Sequence, residues 1–96
     1  MKIHLTKKAN KDLSEIHAFI GQDNVHAASR TINIILDAIE YLLEFPIMGR
    51  AGRVPHTREL IISSTPFIAI YEIRRQDIFI LRILHAARKW PVTLQT

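Results

Sequence analysis

Apolar residues recur at helical spacing in the first half of the chain and at strand spacing in the second half. After a short alternating segment at Lys2–Leu5, apolar positions follow one another at intervals of four, three and four residues. This spacing places them on one face of a helix, predicted over Lys7–Ile20 and capped by Thr6. The positions are Ala9, Leu13, Ile16 and Ile20.

A second, longer apolar stripe follows and predicts a second helix of about five turns. Gly21 and the polar residues 22–24 supply a stop signal and a new N-cap, so the two helices should form a hairpin. Pro46 disfavours helical geometry at Phe45 and ends the second helix. The stripe consists of Ala28, Ile32, Ile35, Leu36, Ile39, Leu42 and Leu43.

The second half is predicted to be a three-strand antiparallel meander that follows a loop at Ile47–Thr57. With the N-terminal strand, this gives an α+β fold of order β-α-α-β-β-β, in which the helical hairpin packs on one face of a twisted antiparallel sheet. The predicted strands are Arg58–Ser63, Phe67–Arg74 and Ile78–His85.

Both faces of the predicted sheet are largely apolar. In the last strand, simple alternation puts Ile80 and Leu84 on the face opposite Ile83. Two helices cover only one face of such a sheet, and the other face is normally polar. We therefore expect a protein partner on the second face, and a strongly curled sheet or a homodimer are the alternatives.

Length and composition limit the class of protein. With 96 residues and 48% hydrophobic content, the chain predicts a single domain over residues 1–96. The absence of cysteine excludes disulfides and thiolate metal sites. The spacing of four histidines predicts no metal site, and no cofactor is expected. These are His4, His17, His26 and His56. Met1–Leu5 lacks the apolar core of a signal peptide and no apolar run is long enough for a membrane span, so we expect a soluble, cytoplasmic protein.

Charge is distributed unevenly along the chain. Residues 1–48 carry five Lys and Arg against six Asp and Glu, a net charge of −1, whereas residues 49–96 carry eight against three, a net charge of +5. This asymmetry favours an anionic or acidic partner for the second half.

The last predicted strand delivers an imidazole, cations and an indole to one end of the fold. These residues are candidates for contact with a macromolecular target. A histidine bonded to a backbone carbonyl and a tryptophan that packs the C-terminus onto the body remain the alternatives for two of them. The target-binding candidates are Arg82, His85, Arg88, Lys89 and Trp90, with Arg50 and Arg53 from the loop.

Four segments, in order and at compatible spacing, resemble the ParE branch of the RelE/ParE toxin superfamily over about residues 3–91. They are Phe45–Arg50, Thr57–Leu60, Pro66–Tyr71 and Ile83–Arg88. The resemblance implies a toxin of a type II toxin-antitoxin pair, neutralised by a ParD-like antitoxin whose acidic, disordered C-terminal segment folds onto it. The residues expected to face the antitoxin are Arg58, Leu60, Ile68, Ile70, Phe79 and Leu81.

The superfamily includes two activities: RelE-like toxins cleave mRNA in the ribosomal A site, and ParE-like toxins poison DNA gyrase. RNA cleavage needs a base, an acid and cations for the phosphate. The ribonuclease branch commonly carries an arginine three positions before the strand tyrosine, where this chain has Ile68 ahead of Tyr71. We therefore predict a gyrase-binding toxin without catalytic residues. The alternative is a ribosome-dependent endoribonuclease that uses His85, Arg82, Arg58 and Arg88.

Overall fold

The computed structural model describes residues 1–87, and residues 88–96 lie outside the described part. The two helices pack on one side of a five-stranded sheet, so the predicted α+β class is confirmed. The elements are β1 (Ile3–Leu5), α1 (Lys7–Gly21), α2 (Val25–Glu40), a 3-10 turn (Tyr41–Leu43), β2 (Arg50–Ala51), β3 (Arg58–Ile61), β4 (Phe67–Arg74) and β5 (Asp77–His85).

The sheet is mixed, not purely antiparallel as predicted. Its strand order is β1-β5-β4-β3-β2, and β1 runs parallel to β5 while the other neighbours are antiparallel. The parallel pair is possible because the whole helical hairpin and the meander separate the two strands in sequence. β2 lies inside the predicted loop and has only two residues, too few to produce an alternating pattern.

Side-chain caps begin both helices as predicted. The Thr6 hydroxyl accepts a hydrogen bond from the Ala9 amide at 3.2 Å, and the Asn24 side chain accepts one from the Ala27 amide at 3.0 Å. Gly21 is not a left-handed stop, because α1 continues through it. Neither helix within residues 1–87 is long and apolar enough to cross a membrane.

The α2 stripe is narrower than predicted. Ile35, Ile39 and Leu42 are at most 3% exposed, whereas Leu36 and Leu43 are 38% and 42% exposed. Each of the latter follows a buried residue directly, and one step along an α-helix turns a side chain by about 100°. Leu36 and Leu43 therefore lie outside the core.

The main core lies between the helical hairpin and the sheet. α1 packs on β5, and α2 packs on α1. The buried members of this core are Ala9, Leu13, Ile35, Ile39, Leu42, Leu60, Ile62, Ala69, Tyr71, Ile78, Ile80 and Ile83.

A β-bulge in β5 changes the predicted faces. Ile80 pairs with Tyr71 and Arg82 pairs with Ile70, so Leu81 is an extra residue without a partner on β4. As a result Ile83 belongs to the main core beside Ile80, and not to the opposite face as simple alternation predicted.

The outer sheet face is not bare. Its second apolar cluster consists of Ile68, Ile70 and Leu84, which are at most 3% exposed. Val54, from the loop between β2 and β3, packs against this cluster. The prediction of an uncovered second face is therefore wrong for these three residues, because a loop of the same chain lies over them.

Candidate functional site

Arg82 does not lie on an exposed basic surface. It is 8% exposed, and its guanidinium group donates to the Asp12 carboxylate from Nε at 2.7 Å and from Nη2 at 2.9 Å. These hydrogen bonds raise the pKa of Arg82 and outweigh the opposing effect of burial. Arg82 therefore joins β5 to α1, a role that sequence reasoning missed because Asp12 is 70 residues away.

Asp12 also closes an edge of the sheet. β1 pairs only with Ile78–Ile80, so the edge of β5 beyond Ile80 has no strand beside it. There the Thr6 hydroxyl lies 2.9 Å from the Ile80 carbonyl oxygen, and the Ile83 amide donates to Asp12 at 2.9 Å. We call this segment, from Ile80 to Ile83, the closed β5 edge.

His85 is exposed at the end of β5. Its Nδ1 accepts a hydrogen bond from the Ala87 amide at 3.1 Å, so a neutral ring carries its proton on Nε2. The ring also contacts Phe67 edge-on, with centroids 5.8 Å apart. In this arrangement the Nε2–H of His85 is available as a hydrogen-bond donor.

The cavity beside His85 is small, and no cation lines the part of it that residues 1–87 form. It has a volume of about 220 Å³, and the side chains in its wall are Asp12, Glu15, Ile16, Phe19, Phe67, Ile83 and His85. Its charged groups are therefore carboxylates, as far as residues 1–87 form it. Phe19 is 74% exposed, so the mouth of the cavity is apolar.

The loop arginines gather around a buried glutamate. Glu59 is 1% exposed and accepts from Arg50 Nη2 at 3.0 Å and from the Arg53 amide at 3.1 Å. The Arg50 and Arg53 side chains remain 54% and 46% exposed. Glu59 thus partly offsets their charge and holds the loop in place.

The residues predicted to bind a target do not all lie in one place. One row of paired residues crosses β5, β4, β3 and β2. Its members are, in that order, Arg82, Ile70, Glu59 and Arg50. Three interstrand spacings separate the backbones of Arg50 and β5 by about 14 Å. Arg50 and Arg53 are therefore remote from His85, and Arg88, Lys89 and Trp90 lie outside the described residues.

Arg58 is also remote from His85. Its partner on β4 is Tyr71, whereas the partner of His85 is Phe67, about 13 Å further along that strand. Arg58 donates instead to the Gly49 carbonyl at 2.7 Å. Arg58 is therefore directed toward the loop after α2 and away from His85.

Tyr71 holds the loop that follows α2. It is fully buried, and its hydroxyl donates to the Pro46 carbonyl at 2.7 Å and accepts from the Gly49 amide at 2.9 Å. Burial raises the pKa of Tyr71. A side chain at position 49 would place its Cβ 2.7 Å from the Tyr71 ring, so glycine is required there. Sequence reasoning used Tyr71 only as a family marker and missed this anchoring role.

The anchored loop presents apolar side chains to solvent. Phe45, Ile47 and Met48 are 50%, 69% and 45% exposed. Met48 also borders a groove of about 530 Å³ between α2 and the edge of β3. We call it the α2–β3 groove, and its lining residues are Ile34, Ala38, Tyr41, Met48, Arg50, Glu59, Leu60, Ile61, Ile62 and Ser63.

The residues predicted to face an antitoxin are spread over several places. Leu60 lines the α2–β3 groove although it is only 5% exposed, and Arg58 supports the loop above it. Ile68 and Ile70 are buried in the second cluster, and the half-buried Leu81 packs against it. The half-buried Phe79 stacks with His4, with ring centroids 4.6 Å apart, and the Arg74 guanidinium group lies 4.3 Å from its ring centroid.

His4 pairs with a carboxylate and not with a cluster of metal ligands. Its Nε2 lies 2.9 Å from Asp77 Oδ2, and this hydrogen bond lowers the pKa of Asp77. Residues 1–87 contain no group of three or more His, Cys, Asp or Glu side chains placed to hold a metal ion.

Comparison with known proteins identifies relatives over nearly the whole chain. The family model for the ParE toxin of type II toxin-antitoxin system, parDE, matches residues 3–90. "Putative toxin Y4kP" of Sinorhizobium fredii is 41% identical over 93 residues, which cover 97% of this chain and 96% of the relative. Toxin RelE2 of Caulobacter vibrioides is 35% identical over 83 residues, which cover 86% and 92% of the two chains.

A solved structure has the same fold. It is a chain from the chromosomal ParDE toxin-antitoxin system of P. aeruginosa, with a TM-score of 0.80 and 27% identity. The match covers 88% of this chain and 95% of that one.

Proposed function

Because this chain belongs to the ParE toxin family of type II toxin-antitoxin systems, we propose that it binds DNA gyrase in the cytoplasm and stabilises the cleaved gyrase–DNA complex. A cognate ParD-like antitoxin with an acidic C-terminal segment would neutralise it. The observation that carries the proposal is the buried Asp12–Arg82 pair, because the guanidinium group of Arg82 is engaged by a carboxylate inside the fold instead of being presented to RNA. The toxin then acts as a binder and not as a hydrolase.

The surroundings of His85 support a binding role. RNA cleavage requires a group that accepts the 2′-hydroxyl proton and cations that stabilise the charge on the phosphate. His85 Nδ1 already accepts from the Ala87 amide, and Asp12 in the described wall of its cavity is paired with Arg82, which leaves the Glu15 carboxylate as the exposed charge of that wall. Around His85, residues 1–87 therefore favour a hydrogen-bonded contact over stabilisation of a phosphate.

Contacts with gyrase are proposed at the end of β5 and the adjoining end of α1. The Nε2–H of His85 would donate a hydrogen bond, and the exposed Phe19 ring would contribute apolar contact. The basic segment 88–90 follows His85 directly in sequence and would extend this surface.

The alternative activity, ribosome-dependent mRNA cleavage, is favoured by one relative whose name is Toxin RelE2. In that case the imidazolium form of His85, in which Nδ1 no longer accepts from the Ala87 amide, would donate a proton to the leaving oxygen through Nε2. The cations would have to come from residues 88 and 89.

An assay with purified toxin and purified gyrase tests the proposal. We expect the toxin to accumulate cleaved plasmid DNA and to inhibit supercoiling. His85→Ala should weaken inhibition about tenfold, the effect of losing one good interfacial hydrogen bond. His17→Ala, an exposed histidine on α1, is the matched control and should inhibit like the wild type.

Gyrase inhibition would be refuted if saturating toxin left gyrase unaffected. Codon-linked cuts in messages translated in the presence of the toxin would then establish the ribonuclease. Primer extension on the translated message detects these cuts.

A further inference from the structure

The cavity beside His85 carries a carboxylate and an aromatic ring at its mouth. It has a volume of about 220 Å³ and lies between α1, the start of β4 and the end of β5. Glu15 and Phe19 belong to its α1 wall and are four residues apart, so their side chains lie on the same face of the helix. Both are exposed, and Phe19 is 74% exposed although it is apolar. A side chain that enters the cavity therefore meets both groups.

The charge of this wall is negative even after its internal ion pair is counted. Arg82 donates to the Asp12 carboxylate at 2.7 Å and 2.9 Å, so these two charges offset each other. The pKa of Arg82 is raised chiefly by its hydrogen bonds to Asp12, and the charge of Glu15 acts in the same direction, so Glu15 lies close to this pair. No ion pair within residues 1–87 includes Glu15. In that part of the chain one cation faces two carboxylates, and the Glu15 charge is left for a partner.

The apolar part of the wall suits the rest of a cationic side chain. Ring faces attract cations, and both Phe19 and the half-buried Phe67 border the cavity. Ile16 and Ile83 supply aliphatic surface for a methylene stem. Arginine fits these groups better than lysine, because its planar guanidinium group both stacks on an aromatic ring and pairs with a carboxylate.

Other occupants fit this cavity less well. Glu15 would repel a phosphate or the carboxylates of an acidic segment. An apolar side chain would take the Glu15 carboxylate out of water without pairing it. His85, whose neutral ring accepts from the Ala87 amide, adds no positive charge that would change this preference.

We propose that this cavity receives an arginine side chain of gyrase, with the guanidinium group paired to Glu15 and stacked on Phe19. The inference rests on the gyrase binding proposed above and names the chemistry of one contact within it. The net charge of +4 for the whole chain favours an acidic partner surface. The cavity selects a basic residue within that surface.

Inhibition of purified gyrase by Glu15→Gln tests the contact. Glutamine keeps the size of the side chain and removes its charge, so we expect about tenfold weaker inhibition than by the wild type. The difference should shrink as the salt concentration rises, because salt screens an ion pair at the mouth of a cavity. Glu40→Gln, the same change at an exposed acid on α2, is the matched control and should inhibit like the wild type.

The aromatic part of the contact is tested at Phe19. Phe19→Leu keeps an apolar side chain but removes the ring that attracts a cation, and inhibition should weaken about threefold. Equal inhibition by Phe19→Leu and the wild type would overturn the stacking.

The outcomes separate this contact from the proposed function. If the wild-type toxin inhibits gyrase and Glu15→Gln inhibits equally well, the arginine contact is overturned while gyrase binding stands. If saturating wild-type toxin leaves gyrase unaffected, gyrase binding itself is refuted, and the contact with it.

The competing occupants are the toxin's own basic residues 88 and 89, which follow His85 by three and four positions. The double change Arg88→Gln and Lys89→Gln distinguishes them from an arginine of gyrase. If the arginine belongs to gyrase, Glu15→Gln should weaken inhibition by the same factor in this background as in the wild type, because the effects of independent sites add. Loss of the Glu15 effect in this background would show that the toxin fills its own cavity and would overturn the proposal.

Discussion

β1 and β2 are both shorter than the strands they pair with, and the two uncovered edges that result are different. Beyond β1, side chains of Thr6 and Asp12 satisfy the backbone of the closed β5 edge. Beyond β2, no side chain of residues 1–87 does the same for residues 61–63, which we call the open β3 edge, and Ile61 is exposed beside the α2–β3 groove. An edge that the chain closes with its own buried polar groups serves stability, whereas an edge left open beside a groove is available to a partner.

The largest expected effect is at the closed β5 edge. Asp12→Ala removes the carboxylate to which the buried Arg82 guanidinium and the Ile83 amide donate, and breaking a buried ion pair in this way costs about 3–5 kcal/mol. For a domain of this size the melting temperature should fall by about 12 °C or more. Scanning calorimetry measures it.

Glu15→Ala is the control for that experiment, because Glu15 is an exposed acid one turn further along α1. It should change the free energy of unfolding by less than about 0.5 kcal/mol. If both variants lost a similar, small amount of stability, Asp12 would not be stabilising the closed β5 edge.

An intermediate effect is expected for the loop that borders the groove. Tyr71→Phe leaves the Gly49 amide and the Pro46 carbonyl without the hydroxyl that pairs with them. Unsatisfied buried groups cost about 1–3 kcal/mol, measurable by urea unfolding. Tyr41→Phe, at an exposed tyrosine, is the matched variant, and equal stability of the two proteins would contradict the anchoring role.

At the open β3 edge we expect almost no change in stability. Ile61→Lys alters an exposed side chain and should shift the free energy of unfolding by less than about 0.5 kcal/mol. It should nevertheless weaken antitoxin binding, because it removes apolar contact and places a long charged side chain on the edge. A stability loss as large as that of Asp12→Ala would remove the contrast between the two edges.

The smallest effect concerns pH and the exposed His4–Asp77 pair at the start of β5. The pKa of Asp77 is lowered in the folded protein, chiefly by the hydrogen bond with His4. Its contribution to stability is therefore present above its unfolded pKa of 3.8 and is lost as pH falls through the lower folded value. An NMR titration of the Asp77 carboxyl carbon should show that His4→Ala raises this pKa, and an unchanged pKa would contradict the pairing.

The sequence predicted the features that depend on local pattern. These features are the caps at Thr6 and Asn24, the two helices and the three strands of the meander. The sequence signal for each lies in residues at most four positions apart. The narrower stripe of α2 and the loss of Leu36 and Leu43 from the core show the limit of periodicity, because it does not reveal how much of a helix face its neighbours cover.

Features that depend on distant residues were not predictable. The bulge at Leu81 leaves no mark in the alternation of β5, yet it reverses the faces assigned beyond it. The pairing of Arg82 with Asp12 could not be predicted either, because the two residues are 70 positions apart in the sequence. The parallel register of β1 with β5 and the two-residue β2 likewise arise from tertiary contacts and not from local preference.

The sequence predicted the family of the protein. It predicted the location of the candidate site only in part. The chain matches the ParE toxin family, as its four segments suggested. Exposed apolar side chains lie on the loop Phe45–Met48 and beside the α2–β3 groove, whereas Ile68 and Ile70 on the outer sheet face are buried. The cover of that face by Val54 could not be inferred, because a single apolar residue in a glycine-containing loop carries no pattern.

Amide hydrogen exchange at two residues tests the contrast most directly. In the free toxin, the Ile83 amide should exchange slowly because it donates to Asp12, and the Ile61 amide should exchange quickly. On addition of the antitoxin, the Ile61 amide should become protected while the Ile83 amide changes little. An Ile61 amide that is already protected in the free toxin, or that the antitoxin leaves unprotected, would contradict the account.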